Sequence, residues 1–149
     1  MANTKEWTIV AELLRQHYFG VLGTSRQGHS YASLVAFSAT ASADSLYFAT
    51  TRATRKYLNL AADKRVSLLV DNRAELDMPL YEACAVTAYG TATELEGAAR
   101  TDALQSYLAR HPQLKAFATS PSTAFFCIEV DEYHLVQRFQ NVTEFRMNR

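Results

Sequence analysis

The sequence has little of several features that would assign a functional class at once. Its 15 basic and 15 acidic residues cancel, so no overall field attracts nucleic acid or an anionic membrane, and any anion site must be local. No apolar run approaches membrane length and residues 1–6 are mostly polar, which predicts neither a transmembrane helix nor a signal peptide. We therefore expect a cytoplasmic protein without nucleic-acid or membrane partners.

Cysteine and histidine are also sparse. Cys84 and Cys127 lie on separate predicted strands without metal-ligand spacing, so we interpret them as small buried hydrophobic residues and not as a disulfide framework. The four histidines fall on four different elements, at positions 17, 29, 111 and 134. They form neither a metal triad nor a Ser-His-Asp arrangement, so we predict no metal site and the sequence identifies no catalytic residue.

What the sequence does contain is enough for one compact domain. A chain of 149 residues with 48% hydrophobic side chains can bury roughly two thirds of its unfolded surface, which predicts a single domain over residues 1–149. Hydrophobic periodicity predicts helices at 5–16, after 54, and at 97–110. It predicts strands at 18–24, 29–37, 46–49, 83–95, 124–130 and 134–139, with a possible bulge at Gly90, and residues 63–70 read as a short turn and a further strand. This order fits a mostly antiparallel barrel with helices covering its ends.

The second predicted strand is apolar on both faces. One face carries Ala32, Leu34 and Ala36, and the other carries Tyr31, Ser33, Val35 and Phe37. A small barrel is filled by one such face, so the other needs a ligand or a partner chain. We expect the face with Tyr31, Ser33, Val35 and Phe37 to be the exposed one.

Residues 45–62 read as an apolar strand, a polar turn and the start of a helix. Thr54 is the predicted N-cap, so the free amides of the first helical turn would lie beside the hydroxyls of Thr50, Thr51 and Thr54. Arg52, Arg55 and Lys56 add positive charge. Free amides, the helix dipole and guanidinium groups together favour a phosphate site. The alternative is a solvated basic loop.

This segment resembles the phosphate-binding segment of the FMN-binding split-barrel family, which includes the pyridoxamine 5'-phosphate oxidases. Thr50 and the run Thr54-Arg55-Lys56 match it, and the resemblance extends over about residues 18–130. It implies a mainly β fold with flanking helices, a six- to seven-stranded antiparallel split β-barrel. It also implies FMN as cofactor and a homodimer with the flavin at its interface.

The resemblance assigns roles by position. Ser33, Leu34 and Val35 would lie along the isoalloxazine ring and ribityl chain, and Thr50, Thr54, Arg55 and Lys56 would hold the phosphate. The sequence departs from the oxidases where Ser33 stands for Arg, Ser38 for Lys and Ala85 for a nearby Gln. These positions touch flavin or substrate in the oxidases, so the substrate is left unidentified.

The oxidases also hold a second phosphate, that of their substrate, and this clamp is incomplete here. Tyr107 matches its Tyr, but His111 stands for its Arg, and Arg146 is followed by Asn148 where the family has His. We therefore predict that the protein is not an efficient pyridoxamine 5'-phosphate oxidase.

Two classes of function remain open. The first is an FMN-dependent oxidoreductase with a small-molecule substrate or electron donor that the sequence does not identify. The second is a binding protein, either a flavin electron-transfer module without turnover or a haem-binding split barrel. A related deazaflavin in place of FMN is a further alternative.

Overall fold

The computed structural model describes residues 4–75 and 77–148, which form seven strands and four helices. In chain order they are α1 Thr4–Gln16, β1 Phe19–Arg26, β2 His29–Ala39, β3 Ser45–Thr51, α2 Arg55–Ala62, β4 Arg65–Asp71, β5 Cys84–Glu94, α3 Gly97–Arg110, α4 Lys115–Ala118, β6 Thr123–Gln137 and β7 Asn141–Arg146. Short 3₁₀ turns span Leu80–Glu82 and Pro112–Leu114. Within these described ranges, no helix combines the length and apolarity needed to cross a bilayer.

The strands form one antiparallel sheet that closes on itself. Its order is β3-β2-β1-β4-β5-β6-β7, and β3 also pairs with β6 along its whole length. Six strands therefore make a closed barrel, and β7 extends the sheet beyond β6. This architecture confirms the predicted split barrel.

The barrel is filled by its own side chains, as expected for six strands. Leu22, Phe48, Leu68, Ile128 and Leu135 are each at most 1% exposed and belong to one core cluster. The helix α1 covers one end of the barrel, where Trp7 packs edge-on against Tyr133 and Phe145 with centroid distances of 5.6 and 5.2 Å. A smaller cluster under α3 joins Ala103 and Tyr107 to Phe125.

The predicted orientation of β2 is wrong. Val35 and Phe37 are 4% and 0% exposed and belong to the core, whereas Leu34 on the opposite face is 66% exposed. Both faces are apolar, so periodicity alone could not distinguish them. The larger side chains of Val35 and Phe37 fill the barrel, and the small residues Ala32 and Ala36 flank Leu34 outside. Tyr31, near the N-terminal end of β2, is 38% exposed.

The C-terminal region also differs from the prediction. The expected break at 131–133 is absent, because Asp131 faces solvent while Tyr133 is fully buried, and the alternation continues through one strand, β6. The last strand, β7, was not predicted. The bulge at Gly90 is confirmed by a register shift beside Tyr89, and any Cβ added at Gly90 would overlap the Glu129 carbonyl oxygen.

The two cysteines are free thiols on β5 and β6. Both are only partly buried, so the prediction that they are buried hydrophobic residues is correct only in part. Burial and the nearby carboxylates of Glu75 and Asp71 raise the pKa of the Cys84 thiol. This shift keeps the thiol protonated and poorly nucleophilic at neutral pH.

Candidate functional site

The helix α2 starts at a compact group of threonine hydroxyls. Thr54 is its N-cap, and its Oγ1 accepts a hydrogen bond from the Tyr57 amide at 3.1 Å, which confirms the predicted cap. The Thr54 hydroxyl also donates to the Thr51 carbonyl at 3.0 Å and lies 3.2 Å from Thr50 Oγ1. The end of β3 and the first turn of α2 therefore hold two hydroxyls within hydrogen-bonding distance of each other.

Beside these hydroxyls lies a cavity of about 310 Å³, which we call the Lys56 cavity. It is lined by Phe19, Leu34, Val35, Ala36, Ala49, Thr50, Thr51, Thr54, Lys56, Tyr107, Leu114 and Phe117. Five of the seven predicted cofactor residues are among them. One wall is polar, from the threonines and Lys56, and the other is apolar.

Lys56 is the positive charge of this cavity. Its side chain is partly buried, and the loss of hydration lowers the pKa of its ammonium group. No carboxylate of the described residues forms an ion pair with it, and the lining of the cavity contains no acid. A partly desolvated cation without a counter-ion favours an anionic ligand.

Arg55 and Ser33 do not join the other five predicted residues. The Arg55 guanidinium lies 5.7 Å from the centroid of the Tyr31 ring and lines a neighbouring cavity of about 320 Å³. Ser33 lies on the inward-facing side of β2, and its hydroxyl oxygen is buried without a hydrogen-bond partner among the described residues. The predicted phosphate cluster is therefore divided between two cavities at the start of α2.

Arg52 has a structural role instead. It donates to Glu94 Oε2 at 2.6 Å and to the Pro121 carbonyl at 2.7 Å, and Glu94 also accepts a hydrogen bond from the Tyr57 hydroxyl. This ion pair compensates the charge of Arg52 and ties the turn before α2 to β5. Of the three cations predicted for the phosphate site, only Arg55 and Lys56 remain uncompensated within the described chain.

The helix α3 contributes polar side chains that are already bonded to the main chain. Tyr107 donates to the Ala36 carbonyl at 3.1 Å, and burial raises the pKa of its hydroxyl to about 12. His111 Nε2 lies 2.7 Å from the Phe37 carbonyl, and burial together with the charge of Arg110 lowers the pKa of the imidazole. Both side chains therefore fix the backbone of β2 from outside the barrel.

Arg110 is likewise used within the fold. Its guanidinium donates to the carbonyls of Leu14, Arg15 and His17 at 2.6–3.0 Å, which satisfies the last turn of α1. It also stacks over the ring of Tyr18 at 4.5 Å. Arg100 is bonded in the same way to the carbonyls of Ala118 and Thr123, so α3 offers no free guanidinium within the described part of the chain.

The sequence predicted Leu34 and Val35 but did not identify three other residues of the apolar wall of the Lys56 cavity. Phe19 opens β1 and is 57% exposed, while Leu114 and Phe117 come from the segment between α3 and β6. An exposed aromatic residue at the start of a strand is a weak signal by itself. Leu114 and Phe117 gave no signal in the sequence, because only the tertiary fold brings their segment against β2.

Comparisons with known proteins agree with this fold. The sequence profile described as pyridoxamine 5'-phosphate oxidase matches residues 8–137. A search of curated protein sequences found no significant match. Among solved structures, a putative pyridoxamine 5'-phosphate oxidase from Listeria innocua has a TM-score of 0.66 at 19% identity, over 89% of this chain and 98% of that one.

Two further solved structures share the fold. A FAD-binding protein from Mesorhizobium loti has a TM-score of 0.66 at 19% identity, with 86% of this chain and 91% of that chain covered. A heme-binding protein from Mycobacterium smegmatis has a TM-score of 0.78 at 20% identity over 91% of this chain. The match covers only 56% of that second protein.

Proposed function

Since the chain belongs to the family of the pyridoxamine 5'-phosphate oxidases, we propose that it binds FMN and acts as a flavin-dependent oxidoreductase on a small-molecule substrate. The observation that carries the proposal is the Lys56 cavity. There a cation without a counter-ion in the described chain, two threonine hydroxyls and an apolar wall meet at the start of a helix. The flavin bound by the Mesorhizobium loti protein of the same fold supports it.

The polar side of the cavity fits a phosphate monoester. A dianion requires cations and hydrogen-bond donors, and the desolvated ammonium of Lys56 gains more from an anion than an exposed lysine would. The Thr54 hydroxyl donates to the Thr51 carbonyl, so the Thr50 hydroxyl donates to Thr54 Oγ1; a bound phosphate oxygen can accept this Thr50 hydrogen in place of Thr54. The positive end of the α2 dipole adds to the attraction. We assign the phosphate to Thr50, Thr54 and Lys56, with Arg55 beside them.

The apolar side fits a planar ring. Phe19, Leu34 and Phe117 expose 57%, 66% and 38% of their surfaces around the same cavity. A bound flavin would supply hydride and electron transfer, and the protein would supply position and electrostatics. Here the Tyr107–Ala36 hydrogen bond holds β2 in place beside the cavity. We assign no catalytic acid or base, because the Tyr107 hydroxyl is already bonded and the lining offers no carboxylate.

Haem is the main alternative cofactor, and the Mycobacterium smegmatis protein of the same fold is described as heme-binding. Histidine is a common axial ligand of haem iron. None of the histidines in the described chain lines the Lys56 cavity, and His111 is buried against the Phe37 carbonyl. The cavity therefore favours a flavin phosphate over haem.

The test is to identify the cofactor of the purified protein and to titrate the apoprotein with FMN and riboflavin. We expect flavin absorption bands, and binding of FMN at least tenfold tighter than riboflavin, because each charge-assisted contact to phosphate is worth about 1.5 to 3 kcal/mol. A haem Soret band in the purified protein, or equal affinity for FMN and riboflavin, would contradict the proposal. Oxidoreductase activity is tested separately by reduction of the bound flavin with candidate donors.

We also propose a homodimer that closes over the flavin. Phe19 and Leu34 expose more than half of their surfaces at the Lys56 cavity, and Tyr18, next to Phe19 in the chain, is 53% exposed, so a ring placed in this cavity would remain wet in a monomer. A second copy would bury both the ring and these side chains, and two-fold symmetry would give two equivalent sites.

Sedimentation should show a dimer at micromolar concentration for the wild type and a monomer for Leu34→Asp. A wild-type monomer saturated with FMN would exclude this arrangement.

A further inference from the structure

The cavity lined by Arg55 is a separate positive site next to the Lys56 cavity. It has a volume of about 320 Å³ and is lined by Arg26, Gln27, His29, Ser30, Tyr31, Arg55, Leu58 and Asn59. This lining contains two arginines and a histidine but no carboxylate. No acid of the described residues forms an ion pair with Arg26, His29 or Arg55. The fold thus leaves positive charge uncompensated at a second place.

Both cavities are lined by residues of β2 and by residues at the start of α2. The Lys56 cavity uses Leu34, Val35 and Ala36 of this strand, and the Arg55 cavity uses His29, Ser30 and Tyr31. Leu34 and Tyr31 are three residues apart, or about 10 Å along an extended strand. Arg55 and Lys56 are consecutive residues that line different cavities. The consecutive positions of Arg55 and Lys56 therefore place the two cavities side by side at the start of α2.

The Arg55 cavity also offers a surface for a flat ring. Tyr31 is 38% exposed and lies 5.7 Å from the Arg55 guanidinium, so its ring orientation is already supported. Leu58 adds exposed apolar surface. Asn59 is 4% exposed and is fixed by the hydrogen bond from its Nδ2 to Thr24 Oγ1 at 3.1 Å, which gives the cavity a rigid polar side chain. Aromatic and guanidinium planes beside positive charge are suited to a purine base and its phosphate.

We infer that the Arg55 cavity is a second subsite of the cofactor site and takes the adenylate half of FAD. The inference rests on the proposed flavin phosphate site, because it places the first phosphate at Thr50, Thr54 and Lys56. The second phosphate lies between Arg55 and Arg26, and the adenine lies on Tyr31. Because the two halves of FAD are covalently joined, binding of the first phosphate raises the effective concentration of the adenylate at its own cavity. The chain then accepts FAD as well as FMN.

The experiment measures the affinity of the full-length apoprotein for FMN, FAD and riboflavin at low ionic strength. We expect Arg26→Ala to weaken FAD about tenfold and FMN less than about twofold, since Arg26 lies beyond the first phosphate. Tyr31→Leu should weaken FAD by about tenfold through loss of stacking. Lys5→Ala removes one exposed charge of α1, which lies outside both cavities, and should change neither affinity.

The outcomes distinguish the two proposals. If the wild type binds FMN but Arg26→Ala and Tyr31→Leu leave FAD binding unchanged, the adenylate subsite is wrong and the flavin site stands. The same holds if Arg26→Ala weakens FMN and FAD equally, because the residue then acts on a shared part of the cofactor. If the wild type does not discriminate FMN from riboflavin, the proposed phosphate site itself is wrong.

Discussion

Two regions beside β2 are built from similar residue types but use them differently. At the start of α2, Lys56 and Arg55 have no carboxylate partners in the described chain, and the hydroxyls of Thr50 and Thr54 lie at a cavity. At the end of α3, by contrast, Tyr107, His111 and Arg110 are bonded to main-chain carbonyls. The comparison teaches that polar composition does not identify a binding site; cations without a counter-ion beside a cavity do.

The largest expected effect concerns the α3 region. If the polar side chains of α3 are used in hydrogen bonds within the fold, this chain lacks part of the site that binds the substrate phosphate in the oxidases. Turnover of pyridoxamine 5'-phosphate should then be about a hundredfold or more below that of a dedicated oxidase, because two charged contacts to the transition state are missing. The measurement is hydrogen peroxide and pyridoxal phosphate release by FMN-saturated protein. Turnover near that of a dedicated oxidase would show that the α3 region still binds the substrate.

The second prediction concerns the α2 region. Lys56→Ala should weaken FMN binding by about tenfold to a hundredfold, since it removes the only described cation that lines the Lys56 cavity. Arg55→Ala should weaken it less, because its guanidinium lies toward Tyr31. Titration of FMN and riboflavin measures both effects, with Lys5→Ala as the control for loss of one exposed charge. A greater loss for Arg55→Ala, or equal losses for FMN and riboflavin, would place the phosphate elsewhere.

The third prediction tests the structural role of Tyr107. Tyr107→Phe removes the donor to the Ala36 carbonyl and should lower the free energy of unfolding by about 1 to 2 kcal/mol. The matched control is Tyr81→Phe, since Tyr81 is 62% exposed and should change stability by less than about 0.5 kcal/mol. Urea unfolding of the three proteins at neutral pH measures the difference. Equal stability of all three would mean that this hydrogen bond does not support the fold.

The smallest expected effect is a pH dependence from His111. Its pKa in the fold is lowered from 6.5, so the unfolded chain binds this proton more readily than the folded chain. The contribution of the neutral His111 side chain to the free energy of unfolding is complete above pH 6.5. It is lost as the pH falls from 6.5 toward the lowered pKa of the folded state. We expect His111→Gln to flatten this part of the stability curve, measured by urea unfolding between pH 7.5 and 5.5.

The control for this prediction is His29→Gln, which replaces an exposed histidine outside the core. The carboxylate of Asp71 titrates in a different window. Hydrogen bonds from Arg73 lower the pKa of Asp71 from 3.8, so the contribution of this carboxylate to the free energy of unfolding is lost only below pH 3.8. An identical slope for wild type and His111→Gln would contradict the burial argument.

Some parts of the fold could be predicted because their signals are local. The helix α3 was predicted with the bounds that the structure shows, Gly97 to Arg110, because its apolar stripe and the following Pro112 lie within one segment. The bulge at Gly90 was also predicted. The break at 131–133 was wrong, since three polar or aromatic residues resemble a turn when the partner strands are unknown. Pairing with both β5 and β7 keeps that segment extended.

The sequence by itself determined the local chemistry of the site: the Thr54 cap, the start of α2 and the cations that follow it, because a cap and its helix interact within three residues. Only the tertiary structure decided which groups remain available to a ligand. Arg52 meets Glu94 across 42 residues, Tyr107 meets Ala36 across 71, and His111 meets Phe37 across 74. The inward face of β2 was decided in the same way, because both of its faces are apolar and only the volume of the closed barrel selects between them.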